Sequence, residues 1–121
     1  MKITYIHEPT DLQCGQAVLA MLCGTTAERV CAELGNERET TLREMKNYLE
    51  AHGMALSPER KQALEKGDLP GCALLSLETP RCWHWVLYVD GVFYDPEHGV
   101  LDDFPQSERK YYWEIMELKR G

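Results

Sequence analysis

The dipeptide Asp90-Gly91 constrains the fold of this chain more than any other feature of its sequence. It lies between two runs rich in β-branched and aromatic residues, 83–89 and 92–94. An Asp-Gly pair between such runs favours a two-residue hairpin loop, because a type I′ turn needs a positive φ at both central positions. The sequence therefore predicts an antiparallel hairpin with a defined register.

This register brings two chemically active side chains together. Counting outward from the turn, Val89 faces Val92 and Val86 faces Asp95. Because side chains alternate along a strand, His84 shares a face with Val86 and Asp95. His84 and Asp95 are then diagonal neighbours about 7–8 Å apart at Cα, a gap that two polar side chains can close. We predict a His84–Asp95 hydrogen bond, and the alternative is a surface histidine near a turn aspartate.

The part of the chain before residue 54 has the pattern of a helical region. Three segments are typical of helices: 17–23, 27–34 and 42–52. The first is apolar all round, as in a buried helix, and stops at Gly24. Thr25 or Thr26 caps the second segment, and Thr40 or Thr41 caps the third.

From residue 54 the pattern changes to that of a small, mainly antiparallel sheet. The strand candidates are 72–77, 83–89, 92–94 and 111–118. A short helix at about 59–65 and a β-like run at 2–6 are also predicted. We expect a single α+β domain over residues 1–121, with a helical part at about 12–53 and a sheet part at about 54–121.

Charge and cysteine content exclude several classes of protein. The 121 residues carry 13 Lys plus Arg and 20 Asp plus Glu, and a formal charge of −7 would repel nucleic acid. No segment matches a signal peptide or a membrane span, so we expect no membrane partner and a cytoplasmic location. The five cysteines form no CxxC pair, so we expect no disulfide framework, no metal and no cofactor.

Cys14 is the candidate nucleophile, because it lies at the start of the first predicted helix. A helix N-terminus offers unpaired N–H groups and a partial positive charge, both of which stabilise a thiolate. Gly15 leaves the adjacent backbone open to a substrate carbonyl. The alternative is a core cysteine like Cys23. With His84 and Asp95, Cys14 completes a Cys-His-Asp arrangement for nucleophilic acyl transfer.

Two runs of the sequence resemble the C39-like peptidases of the papain-like superfamily. These are DLQCGQAVLAM at 11–21 and HWVLYVDGVFYDP at 84–96, against family motifs of roughly Q-x₅-C-G-x-A and H-[FW]-V followed by D-P. The resemblance implies a papain-like fold, with a helical N-terminal half packed on a small antiparallel sheet and the active site between them. It also implies that Cys14 is the nucleophile, His84 the general base and Asp95 the group that holds the imidazole.

At one position the sequence departs from this family. The family's oxyanion-hole glutamine lies six residues before the nucleophile, where this chain has Glu8. An ionised carboxylate only accepts hydrogen bonds, whereas an oxyanion needs a donor. Gln13 is a candidate substitute for the missing amide.

The sequence thus predicts a cysteine hydrolase that cleaves a peptide or isopeptide bond in a peptide or protein substrate. One alternative is a peptide-binding pseudoenzyme impaired by Glu8, and another is a deamidase or transglutaminase that uses the same triad. The resemblance also implies cleavage after double-glycine leaders, by domains that are usually attached to transporters. In these 121 residues we expect no transporter domain.

Overall fold

The computed structural model describes residues 2–118. Its three α-helices lie where the sequence predicts them. Their bounds are α1 (Cys14–Cys23), α2 (Ala27–Leu34) and α3 (Leu42–Ala51). The Thr26 side chain caps α2, and Thr41 forms a capping box with Glu44 at the start of α3. Gly24 and Gly35 end α1 and α2 in the left-handed conformation that glycine tolerates best. Helix α1 is buried along nearly its whole length, as its apolar sequence predicts.

The strands form one antiparallel arrangement in the described residues. They are β1 (Met54–Leu56), β2 (Lys61–Gln62), β3 (Cys72–Glu78), β4 (Trp83–Val89), β5 (Val92–Asp95), β6 (Gly99–Leu101) and β7 (Lys110–Glu117). Their order is β1-β7-β3-β4-β5-β6, and β2 also pairs with β7. The molecule is therefore α+β, with its helices before its sheet in the chain.

Two predicted elements are wrong. The helix expected at 59–65 is replaced by strand β2, because backbone pairing with β7 satisfies this polar segment, which has no apolar stripe to bury as a helix. The β-like run at 2–6 forms no strand. Instead, the Tyr5 hydroxyl donates to the backbone carbonyl of Asp95 at 2.5 Å. The ends of the predicted 1–121 domain, residue 1 and residues 119–121, lie outside the described residues.

The β4–β5 hairpin has the predicted register. Leu87 pairs with Tyr94, and Val89 pairs with Val92. The turn residues Asp90 and Gly91 have φ values of 46° and 89°, so both are positive, as a type I′ turn requires. The alternation of side chains along β4 and β5 follows from this register.

Both faces of the sheet are covered. One face packs against the helices, with Leu19, Leu49 and Leu87 fully buried between them. The other face forms a second apolar layer around Phe93, against which Phe104 packs from the segment after β6. Within residues 2–118, no helix has both the length and the apolar character needed to cross a bilayer.

Candidate active site

A cleft of about 800 Å³ lies at the N-terminus of α1 and the beginning of β4. Cys14 and His84 both line it. Helix α1 packs against β4, which places the first residue of the helix beside the start of the strand. The cleft wall also contains Leu12, Trp83 and Trp85, and the first two are 44% and 46% exposed. The cleft therefore presents a thiol and an imidazole on a partly apolar surface.

His84 connects Cys14 to Asp95. The Nε2 atom of His84 lies 2.6 Å from Oδ1 of Asp95, and the imidazole shares the cleft with the Cys14 thiol, whose charge raises the pKa of His84. Cys14, His84 and Asp95 are 7%, 4% and 0% exposed. Because Nε2 is engaged by Asp95, Nδ1 is the nitrogen available to exchange a proton with the thiol. The structure thus brings together the three side chains that the sequence predicts to act together.

The charges of this group support one another. Burial alone would lower the pKa of His84, but the hydrogen bonds and negative charges of Asp95 and Cys14 raise that pKa to about 10. Burial would raise the pKa of Asp95, but the hydrogen bond and positive charge of His84 hold it below its ordinary value. At neutral pH the pair is an imidazolium and a carboxylate, and a neighbouring imidazolium stabilises a thiolate.

Asp95 also accepts hydrogen bonds from the turn that follows it. Its Oδ1 atom accepts from the backbone N–H groups of Glu97 at 2.8 Å and His98 at 3.2 Å. Its Oδ2 atom accepts from Nδ1 of His98 at 2.8 Å. His98 was not among the site residues predicted from the sequence, although an aspartate at the start of a turn commonly folds its side chain back onto the next residues.

Backbone N–H groups lie beside the Cys14 thiol at the start of α1. Within the described residues, the N–H groups of Cys14, Gly15 and Gln16 donate to no protein acceptor. Unpaired N–H groups at a helix N-terminus bind anions. Of these three residues Cys14 lines the cleft, so its N–H is the donor suited to an oxyanion that develops on a carbonyl attacked by the adjacent sulfur.

Gly15 is needed for packing, and the expectation that it leaves the backbone open to substrate is wrong. A Cβ atom at Gly15 would lie 1.8 Å from Oγ1 of Thr40 and 3.2 Å from Cδ1 of Trp85. Trp85 also donates from its indole to the carbonyl of Thr40 at 3.3 Å. The residue preceding the α3 cap therefore covers the backbone at Gly15.

Two glutamines attach the α2–α3 loop to the start of α1. Gln13 donates from its amide to the carbonyl of Glu37 at 2.9 Å. Gln16, which is fully buried, donates to the carbonyl of Arg38 at 2.6 Å. In this structure the amide of Gln13 therefore supports the loop, and its substitution for the oxyanion glutamine stays a prediction.

Glu8 reaches the site from the segment before α1. Its backbone N–H donates to the carbonyl of Pro96 at 2.9 Å, and a carboxylate oxygen lies within 4.8 Å of a ring nitrogen of His84. Glu8 is 7% exposed, and its Oε1 atom has no hydrogen-bond partner among the described residues. Burial raises the pKa of Glu8, and the charge of His84 opposes this effect. The departure from the family pattern thus lies beside the His84 imidazole.

Two groups of side chains contain residue types that can hold a metal. One is His84, Asp95 and His98, and the other is Glu8, His84 and Glu97. Both groups include His84, whose Nε2 atom already hydrogen-bonds the Asp95 carboxylate. A metal held by His84 and Asp95 would have to displace this bond, so that pair suits proton transfer better than metal binding.

Comparison with known proteins gives a match in fold. No family model matches the chain, and no curated protein matches its sequence. A solved structure of a double glycine motif protease from an AMS/PCAT transporter, in complex with the leader peptide, has a TM-score of 0.63 and 16% sequence identity. The match covers 93% of this chain and 92% of that chain. The chain therefore has the α+β, papain-like fold of the C39-like peptidases that its two motifs resemble.

Proposed function

We propose that this protein is a cysteine hydrolase that cleaves a peptide or isopeptide bond through Cys14, His84 and Asp95. The observation that carries the proposal is the buried His84–Asp95 hydrogen bond, whose imidazole shares the cleft with the Cys14 thiol at the N-terminus of α1. The helix N-terminus and the imidazolium both stabilise a thiolate, so the sulfur is a nucleophile at neutral pH.

In the acylation step, the sulfur of Cys14 attacks the carbonyl carbon of the substrate. A C–S bond forms, and the carbonyl electron pair moves to the oxygen, which lies near the backbone N–H group of Cys14. The tetrahedral intermediate collapses and its C–N bond breaks. The leaving amine takes the proton that His84 carried, so a thioester and a neutral imidazole remain.

In the deacylation step, neutral His84 takes a proton from water, which attacks the thioester carbon. The C–S bond then breaks, and the product leaves as a carboxylic acid. The thiolate and the imidazolium are regenerated, so the cycle balances without a cofactor. Asp95 holds the imidazole in position and stabilises its positive charge throughout.

The proposed substrate is a peptide or protein, and the proposed location is the cytoplasm. The cleft of about 800 Å³ is open to solvent and partly apolar, which suits an extended chain. The structurally similar protease was solved with a leader peptide. All five cysteines are free thiols, as expected in a reducing compartment.

A second candidate function is peptide binding without turnover. The observation that favours it is Glu8, a buried carboxylate within 4.8 Å of a His84 ring nitrogen. In its ionised form Glu8 would repel an oxyanion formed nearby. Deamidation and acyl transfer to an amine remain alternatives, because they differ from hydrolysis only in the leaving group or the attacking group.

The test is a product analysis by mass spectrometry. The protein is incubated with a double-glycine peptide, an isopeptide-linked peptide and a glutamine peptide with and without an added amine, and Cys14→Ala serves as the control. New peptide ends indicate hydrolysis, conversion of Gln to Glu indicates deamidation, and incorporation of the amine indicates transfer. Peptide binding without any product supports the pseudoenzyme. Equal product formation by Cys14→Ala would contradict the role of Cys14.

A further inference from the structure

We propose that His98 is a positioning residue of the active site, which holds Asp95 in the orientation that serves His84. This inference rests on the proposed triad. His98 neither belongs to the two sequence motifs nor is required by the Cys-His-Asp arrangement. It is a second imidazole on the same carboxylate, with its ring centroid 6.3 Å from that of His84.

The two oxygens of Asp95 have different surroundings. Oδ1 accepts hydrogen bonds from Nε2 of His84 and from the backbone N–H groups of Glu97 and His98. In the described part of the chain, the one protein donor to Oδ2 is Nδ1 of His98, at 2.8 Å. Because Asp95 is 0% exposed, water does not readily replace that donor. The His98 side chain therefore decides whether Oδ2 is satisfied.

The backbone around His98 is fixed independently of its side chain. Residues 95 and 99 pair across the β5–β6 hairpin, and Gly99 has a φ of 101°, which glycine accommodates. The side chain of His98 is 51% exposed and lines the cleft. A substitution at position 98 therefore changes the donor to Oδ2 without disturbing an apolar core.

Loss of this donor should weaken the interaction between Asp95 and His84. A buried carboxylate oxygen without a partner destabilises the anion and leaves the carboxylate free to turn. Asp95 would then support less positive charge on His84, and less thiolate would form at Cys14. The titratable groups that face this cluster are Tyr5, Glu8, Cys14 and Glu97.

A matched pair of variants separates the donor from the bulk of the side chain. Asparagine and leucine have the same branched shape, but only the asparagine amide can donate near the position of Nδ1. Cys14 alkylation by iodoacetamide is measured from acid to neutral pH in His98→Asn, His98→Leu, Asp95→Ala and the control His52→Leu. His52 is a partly buried histidine at the end of α3.

We expect His98→Leu to alkylate about tenfold more slowly than wild type near pH 6, the effect of one lost hydrogen bond to a buried charge. The acid limb of its pH profile should move to higher pH. His98→Asn should retain most of the wild-type rate, and His52→Leu should match wild type. In proton NMR spectra, the chemical shift of the N–H proton between His84 and Asp95 should change in His98→Leu. In His98→Asn it should stay close to its wild-type value.

Each result decides the proposal. If His98→Leu keeps the wild-type rate, profile and NMR signal while Asp95→Ala loses rate, His98 has no positioning role and the triad stands. If neither His98→Leu nor Asp95→Ala changes the rate, both the triad and the role of His98 are wrong. If His98→Asn and His98→Leu lose rate equally while their unfolding temperatures match wild type, the donor at Oδ2 is not the cause.

Discussion

The replacement of Glu8 by glutamine tests how the active site handles the negative oxygen of the tetrahedral intermediate. Glu8 is 7% exposed, and its Oε1 atom has no hydrogen-bond partner in the described residues. It stands six residues before Cys14, where the motif that the sequence resembles has a glutamine. Glu8→Gln keeps the volume of the side chain. It exchanges an acceptor that can carry negative charge for an amide that donates.

Two effects of this substitution oppose each other. One oxyanion donor contributes about 10²–10³ to the rate, or about 3–4 kcal/mol. Removal of the Glu8 charge also removes its attraction for the His84 imidazolium. This attraction is about 3 kcal/mol at their largest separation of 4.8 Å and an effective dielectric constant of about 20. Asp95, at 2.6 Å, attracts the same imidazolium with about 6 kcal/mol. The ion pair therefore persists, and we expect Glu8→Gln to raise the acyl-transfer rate about 10²-fold.

The rate advantage of Glu8→Gln over wild type should increase with pH. Because burial raises the pKa of Glu8, acid solution keeps its carboxyl group protonated, and in that form it can donate to the oxyanion. The wild-type rate should fall relative to Glu8→Gln as the pH rises through this raised pKa. The two rates should be similar at acid pH and differ most at neutral pH and above.

The assay is a pH–rate profile with one activated ester for wild type, Glu8→Gln and the control Glu39→Gln. Glu39 is an exposed acidic residue that lines the same cleft. Glu39→Gln removes the same charge from the cleft as Glu8→Gln does. The control should follow the wild-type profile, because the gain of Glu8→Gln comes from a donor at position 8 and not from the net charge. Equal rates for wild type and Glu8→Gln over the whole pH range would show that Glu8 lies outside the oxyanion hole.

Three further predictions follow from the same geometry. Cys14 should react with iodoacetamide faster than Cys23, Cys31 and Cys72 near pH 6, as measured by peptide mapping, because burial raises the pKa of those three thiols; a rate for Cys14 no higher than theirs would contradict its role. The raised pKa of His84 contributes stability below pH 6.5 that is lost as the pH rises toward about 10. The free energy of unfolding, measured with urea, should therefore fall over this range by a few kcal/mol more in wild type than in His84→Gln. Gly15→Ala should lower the free energy of unfolding by about 1–3 kcal/mol, because its Cβ would lie 1.8 Å from Oγ1 of Thr40, and an unchanged unfolding temperature would refute that packing.

Local rules account for the parts of the site that the sequence predicted. The Asp90-Gly91 turn determines the register of the hairpin, and the register determines that His84 and Asp95 share a face. The apolar run of α1 and its end at Gly24 follow from the local sequence. These features depend on neighbours close in the chain, so their residue types were sufficient to predict them.

The remaining features depend on contacts between distant segments. The packing of Thr40 against Gly15 arises only when the α2–α3 loop folds over the start of α1. Strand β2 forms because β7 offers it backbone partners, which no local propensity encodes. The contact of Glu8 with the triad likewise depends on where the N-terminal segment crosses the end of β5.

The most direct test of the account is a search for an acyl-enzyme by intact-protein and peptide mass spectrometry during turnover of an activated ester. We predict one acyl group, attached to Cys14, that forms rapidly and is released by water. Cys14→Ala should carry no such group, and Asp95→Ala should form it more slowly. An acyl group on another residue, or equal acylation of Cys14→Ala, would contradict the assignment of Cys14 as the nucleophile.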